Sequence, residues 1–217
     1  MTAALRPGLV CGLLVALLGR GAAAAEASGP EAMIRKTVDE AFAVLKDPKL
    51  ADKAHRAERL AALRVVADRT FDWSEMARAS LGAPWRTLDP SKRAHFVDTF
   101  KDVLAARYMD DINRFEGTET VTVDSSSRDG DDTIVHTTLV TGSREKVPID
   151  YRVRGAGGKN SIVDISIEEV SLVNHFRKTF SAALVNMSID QLIDRLQKQL
   201  PAAVKASEKP GPSSRRE

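Results

Sequence analysis

The 217-residue chain has one cysteine, two tryptophans and two tyrosines, and a net charge of only +2. A single cysteine excludes a disulfide framework and every all-cysteine metal site. With 32 basic against 30 acidic residues, it lacks the basic balance of a nucleic-acid binder, and no nucleic-acid partner is expected. Thirteen glycines and nine prolines are too few for a collagen-like or low-complexity chain. What remains is a globular protein long enough to build its own core.

Catalytic motifs are equally scarce. His55, His95, His136 and His175 have no H-x-x-H or H-E-x-x-H partner, so no metal site is expected. There is no G-x-S-x-G elbow for a serine nucleophile. Gly157-Gly158-Lys159 hints at a phosphate loop, but Asn160 stands where Ser or Thr is needed and a strand pattern follows, so it reads as a hairpin turn. Asp129-Gly130-Asp131-Asp132 lacks the twelve-residue calcium spacing and reads as a solvated turn. The sequence thus predicts no catalytic residue and no cofactor. A hydrolase using acidic residues such as Asp150 or Asp164 stands as a rival.

One apolar run exists, Leu9 to Leu18, preceded by Arg6 and followed by several A-x-A choices between Ala22 and Ala27. That is the pattern of an export signal cleaved near Ala25 or Ala27, and the run is short for a membrane span. Residues 1–27 are expected to be a signal peptide, which carries away Cys11 and leaves a nearly neutral chain. A body over 28–203 is then followed by a disordered tail over 204–217, because Lys205 to Glu217 offers no docking stripe.

Within the body the pattern runs helices, strands, helices. Pro30 opens a helix with the stripe Ile34, Val38, Ala41, Phe42 and Leu45, stopped at Asp47-Pro48. Asp52 to Asp68 is a second, burying Leu60, Leu63, Val66 and Ala67. Asp72 caps a third, with Glu75 completing a capping box and Leu81-Gly82 ending it. The fourth runs from Asp89-Pro90 to about Gly117 with a wide aromatic face: Phe96, Phe100, Val103, Leu104, Tyr108, Ile112 and Phe115. From Glu119 the period becomes two, giving strands at Val121 and Val123, Thr133 to Thr141, Lys146 to Arg154 and, after a hairpin at Gly155 to Asn160, a fourth with Val163, Ile165 and Ile167 on one face. Helical spacing returns at Leu172, Phe176, Phe180 and Leu184, and Ser188 with Gln191 caps a last helix. The fold class is α+β: N-terminal helices, a twisted antiparallel four-stranded sheet, C-terminal helices. These apolar faces either close a solid core or enclose a cavity, and periodicity does not separate the two.

Two groups of motifs carry a family resemblance. Phe71-Asp72-Trp73-Ser74-Glu75-Met76-Ala77-Arg78 with Leu81-Gly82, Trp85-Arg86 and the helix start Leu88 to Phe96 resembles the first signature of the MlaC / toluene-tolerance family of exported lipid-binding proteins. Val147-Pro148-Ile149-Asp150-Tyr151-Arg152-Val153-Arg154, Val163-Asp164-Ile165, Ile167-Glu168 and Val170-Ser171-Leu172-Val173, followed by Arg177 and Phe180, resemble its second. The likeness covers about Pro30 to Leu200. Three positions depart: the family's Trp before the final strand is Asn160, its Gly before V-S-L is Glu169, and its Asn-Tyr pair is His175-Phe176. Asn160 and Glu169 are expected to reshape the cavity edge or its entrance.

The resemblance implies a nuclear-transport-factor-like sheet and a helical lobe holding lipid tails between them in a periplasmic carrier. Its implied partners are phospholipid or another membrane lipid, the MCE-domain protein of an inner-membrane ABC transporter, and an outer-membrane lipoprotein complex. A hopanoid-associated branch of the family and a non-lipid exported adaptor with a solid core are the alternatives. The expected lining is Phe96, Phe100, Leu104 and Tyr108 from the long helix, Val147, Ile149, Tyr151, Val163, Ile165 and Ile167 from the sheet, and Val170, Leu172, Val173 and Phe176 where sheet and helix join.

Overall fold

Four helices precede the sheet in a computed structural model of the chain, which describes residues 29–207. They are α1 (Pro30–Leu45), α2 (Arg56–Thr70), α3 (Trp73–Leu81) and α4 (Pro90–Asn113). Pro30 sits in the first turn of α1, where its missing N–H costs nothing. Asp72 caps α3 by accepting from Glu75 N at 2.9 Å. The expected reciprocal bond is absent: the Glu75 carboxylate takes Arg78 and Arg154, and Asp72 N donates to Ile162 O instead. Bonds to two arginine cations outcompete a single bond from an uncharged backbone N–H.

The sheet is an antiparallel meander in the order β1 (Thr120–Asp129), β2 (Asp132–Val140), β3 (Lys146–Ala156), β4 (Lys159–Ile167), β5 (Val170–Ser171). It has five strands where the sequence predicts four. Val170 and Ser171 pair with Ile167 and Ser166; two residues are too few to show a period. The turn before them is Glu168-Glu169, both at positive φ (49° and 66°), the geometry for which glycine and asparagine are the usual signal.

Helices α5 (Leu172–Leu184), α6 (Ile189–Gln199) and α7 (Ala202–Ser207) complete the described residues. Ser188 and Gln191 form the predicted capping box in full. Helix α7 buries Val204 against Leu60 and Leu200, so the packed body reaches Ser207, beyond the boundary expected at 203. The predicted export signal and the rest of the predicted tail lie outside the described residues. Among the described residues, no helix is long and apolar enough to cross a membrane.

Two cores form. Between α3, α4, α5 and α6 an aromatic cluster fills the helical lobe: Phe96, Phe100 and Phe180 are fully buried, and ring centroids lie 5.5 Å apart for Phe100–Phe176 and 5.7 Å for Phe96–Phe180. Removing any one of these rings would cost about 3–5 kcal/mol. Under α1, the inner face of the sheet packs Ile34 against Val135, Val153 and Ile162.

A β-bulge decides what faces this second core. Along β3 and β4, Arg152 pairs with Asp164 but Val153 pairs with Ile162, which leaves Val163 as the extra residue. Ile162, Ile165 and Ile167 therefore share the inner face and Val163 turns to the other. Strict alternation predicts Val163 inside.

Candidate functional site

Between the helices and the inner sheet face lies an open cavity of about 300 Å³. Leu60, Leu63 and Ala67 line it from α2; Leu104, Ala105, Tyr108 and Ile112 from α4; Ile149 and Tyr151 from β3; Ile165 and Ile167 from β4; with Phe71, Trp73, Met76 and Leu172 at its edges. Both helical sets follow the three-to-four spacing that keeps one face toward a neighbour. The sheet set follows the two-residue period. The space exists because alanines stand on both helix faces: neither Ala67 nor Ala105 reaches across it. Lining residues such as Leu63, Ile149 and Ile165 are only half-buried, because part of their surface fronts the void.

Polar groups mark the seam where α2 crosses α4. Arg64 pairs with Asp102 at 2.5 Å and Asp68 with Lys101 at 3.0 Å, while Lys101 Nζ lies 5.7 Å from the centre of the Trp73 ring. Arg59 Nη2 donates to Asn113 Oδ1 at 2.8 Å further along. Helices α2 and α4 touch lightly and are joined by side-chain links. Within the cavity the Tyr151 hydroxyl is pushed up to about 12 by burial. Among the described residues, no arginine or lysine counteracts that shift.

Of the expected lining, the structure brings together Leu104, Tyr108, Ile149, Tyr151, Ile165, Ile167 and Leu172. Phe96 and Phe100, on the α5 side of the long helix, and Phe176, on α5 itself, belong to the filled aromatic core, whereas the cavity lies on the α2 side of the long helix. Val163 is turned away by the bulge and lines a cleft on the opposite face, as does Val173. Val170 is 57% exposed on the edge strand. Val147 borders neither space. Sequence reading missed the α2 wall, Phe71, Trp73, Met76, Ala105 and Ile112 as lining. Leu60 and Leu63 did stand out as a stripe, but a stripe facing a void looks the same as one facing a core.

Asn160 and Glu169 do not border the cavity. Asn160 pairs with Gly155 at the β3–β4 hairpin and Glu169 occupies the β4–β5 turn. Phe176 is a core residue with exposed His175 edge-on at 5.4 Å.

The cleft on the opposite face, about 560 Å³, is charged. Asp132, nearly buried, accepts from Arg154 Nε at 2.7 Å and from Arg152 Nη1 at 3.3 Å. Arg154 bridges on to Glu75 Oε1 at 2.9 Å. These bonds, Arg154 foremost, hold the Asp132 carboxyl below the ordinary carboxylate range. Asp164 is structural. Its Oδ1 accepts from Ile165 N and Val173 N, and its Oδ2 from Ser171 Oγ at 2.5 Å, so it ties β4 to the start of α5.

Asp150 lies 2.8 Å from His136 Nδ1, and His136 Nε2 lies 3.0 Å from Ser127 Oγ. That is the connectivity of a hydrolase triad laid across β1, β2 and β3. However, Ser127 sits exposed mid-strand outside the cleft, and a paired strand interior supplies no converging N–H pair for an oxyanion. The three residues read as a polar ladder. Among the described residues, no cluster of three or more His, Cys, Asp or Glu could hold a metal ion.

Comparison with known proteins adds to this geometry. The family described as MlaC protein has a model that matches residues 35–198. Among solved structures, the phospholipid-binding protein from Ralstonia solanacearum, in complex with a phospholipid, superimposes with a TM-score of 0.67. It is 21% identical, and the alignment covers 82% of this chain and 98% of that one. No curated protein matches the sequence.

Proposed function

The chain belongs to the MlaC family, and on that premise we propose that it is an exported carrier that holds phospholipid acyl chains in the cavity between α2, α4 and the sheet. The observation that carries this reading is the cavity itself: a space of about 300 Å³ bounded almost wholly by aliphatic and aromatic side chains. It lies in a fold shared with a protein solved with phospholipid bound.

The energetics suit a shuttle. Exposing a tail to water costs ~0.8 kcal/mol per methylene, so a sixteen-carbon chain costs more than ~10 kcal/mol. An apolar cavity offsets most of that, which makes transfer between bilayer and carrier nearly isoenergetic and leaves direction to the partners. If a methylene fills about the ~30 Å³ of a water molecule, the present volume holds roughly ten. A two-chain lipid therefore requires α2 and α4 to part, and side-chain links at a lightly packed seam permit this more readily than interlocked ridges would.

In the cell the carrier would work in the periplasm after removal of residues 1–27. It would take lipid from an outer-membrane lipoprotein complex or give it up there, and exchange it with an MCE-type inner-membrane transporter. A nearly neutral surface suits brief docking on both, since tight binding to either would stall the cycle.

The test is native mass spectrometry of protein purified from a bacterial periplasm, with solvent extraction and lipid identification. Stoichiometric phospholipid is the expected result, lost in Ile165→Asp. A polycyclic lipid would replace phospholipid in the proposal. No ligand, and no uptake from vesicles, would overturn it.

A further inference from the structure

Hydrogen-bonding groups on the cavity wall fall into two sets. Arg64, Asp68 and Lys101 are engaged in ion pairs at the α2–α4 seam, with Arg64 Nε buried without a partner. By contrast, the Tyr151 hydroxyl has no hydrogen-bond partner among the described residues, although the ring lies mid-strand, opposite Val135 on β2 and Ile165 on β4. The Trp73 indole N–H, at the cavity edge, is buried without a partner, and the half-buried Tyr151 fronts the void. A donor left unsatisfied once lipid fills the cavity and excludes water costs about 1–3 kcal/mol, so an occupied cavity has to offer such a group an acceptor.

We propose that Tyr151 is a specificity-determining contact that donates its hydroxyl proton to an ester carbonyl of the bound lipid, so that the cavity selects acyl-ester lipids over ether lipids. This rests on the lipid-carrier reading above. The acceptor must be neutral. Among the described residues no cation bonds to the hydroxyl: the cations that line the cavity, Arg64 and Lys101, pair with Asp102 and Asp68, and burial alone raises the phenol. A phosphate there would be desolvated without compensation, whereas a carbonyl oxygen accepts one neutral donor at little cost. Ester carbonyls are also the lipid's only acceptors next to the tails, which is the depth at which a residue surrounded by Val135, Ile165 and Ile149 would meet them.

The experiment compares binding of a diacyl phosphatidylglycerol and its dialkyl-ether analogue of equal chain length, by displacement of a fluorescent lipid from the full chain. Wild type is expected to prefer the diacyl form roughly 3- to 10-fold, the range set by one neutral hydrogen bond. Tyr151→Phe, which keeps the ring and the packing, is expected to bind both lipids equally, at the ether lipid's affinity. A carbonyl-labelled diacyl lipid gives a second readout, with an infrared C=O band shifted to lower frequency in wild type and not in Tyr151→Phe. Equal binding of the two lipids by wild type, or a preference that survives in Tyr151→Phe, overturns the assignment. Loss of the preference in Trp73→Phe but not in Tyr151→Phe would do the same. Binding of neither lipid by wild type instead defeats the carrier reading.

Discussion

Arg64 on α2 donates from Nη2 to Asp102 Oδ1 on α4 at 2.5 Å, and Asp102 is 3% exposed. The pair crosses the seam that bounds the cavity, and removing one partner of an ion pair this deep leaves the other uncompensated. Asp102→Asn should lower the unfolding free energy by about 2 kcal/mol, less than for a fully dry pair because Arg64 reaches solvent. Urea unfolding measures that loss, and stopped-flow exchange with vesicles should show faster lipid release. Unchanged release would mean that the seam is not where the cavity opens.

Filling the void separates a binding cavity from a packing defect. Ala105→Leu adds three carbons, roughly a third of the cavity at ~30 Å³ each. Lipid occupancy should drop at least ~10-fold while stability stays within about 1 kcal/mol of wild type, since the new atoms enter empty space. Native mass spectrometry and a thermal melt read the two quantities. A filled cavity with full lipid load would place the ligand elsewhere.

The β4–β5 turn stores strain. Glu169 sits at φ 66°, a left-handed conformation costing a residue with a Cβ about 1–2 kcal/mol. Glycine removes that cost but gives back part of it as chain entropy. Glu169→Gly should stabilise the protein by about 0.5–1 kcal/mol, and Glu169→Val should destabilise it; chemical denaturation checks both signs.

Acid should loosen the charged cleft. The Asp132 carboxyl is held low chiefly by Arg154, and that of Glu75 chiefly by Arg78. A carboxyl with a lowered native value stabilises fully above its unfolded value near pH ~4. The contribution disappears as pH falls from there through the lowered native value. Wild-type urea midpoints should therefore drop below about pH 4. Asp132→Asn should be less stable at neutral pH and show a shallower drop. An unchanged slope would show that Asp132 titrates alike in both states.

Most of the secondary structure was legible because it is local. Pro30, Asp72, Gly82, Ser188 and the change of period at Glu119 mark boundaries with residues whose backbone or side chain forms the boundary. The short strand β5 was not legible, because its turn uses Glu168-Glu169, which carries no turn signal. Nor was the bulge at Val163: one extra residue in β4 has no signature in a run of Ile, Val, Asp, Ile that alternates acceptably without it.

By itself, then, the sequence determined which residues are apolar, with what period, and in which family order, and so it determined helices, strands and kinship. Which apolar residues line a cavity was decided only in three dimensions. Phe100 and Tyr108 share one helix and two turns of spacing, yet Phe100 meets Phe176 and Phe180 while Tyr108 faces a void. Periodicity places both on one broad apolar side of the helix; which neighbour each meets, and whether atoms stand opposite, depends on the side chains that distant segments bring there, here the alanines at 67 and 105.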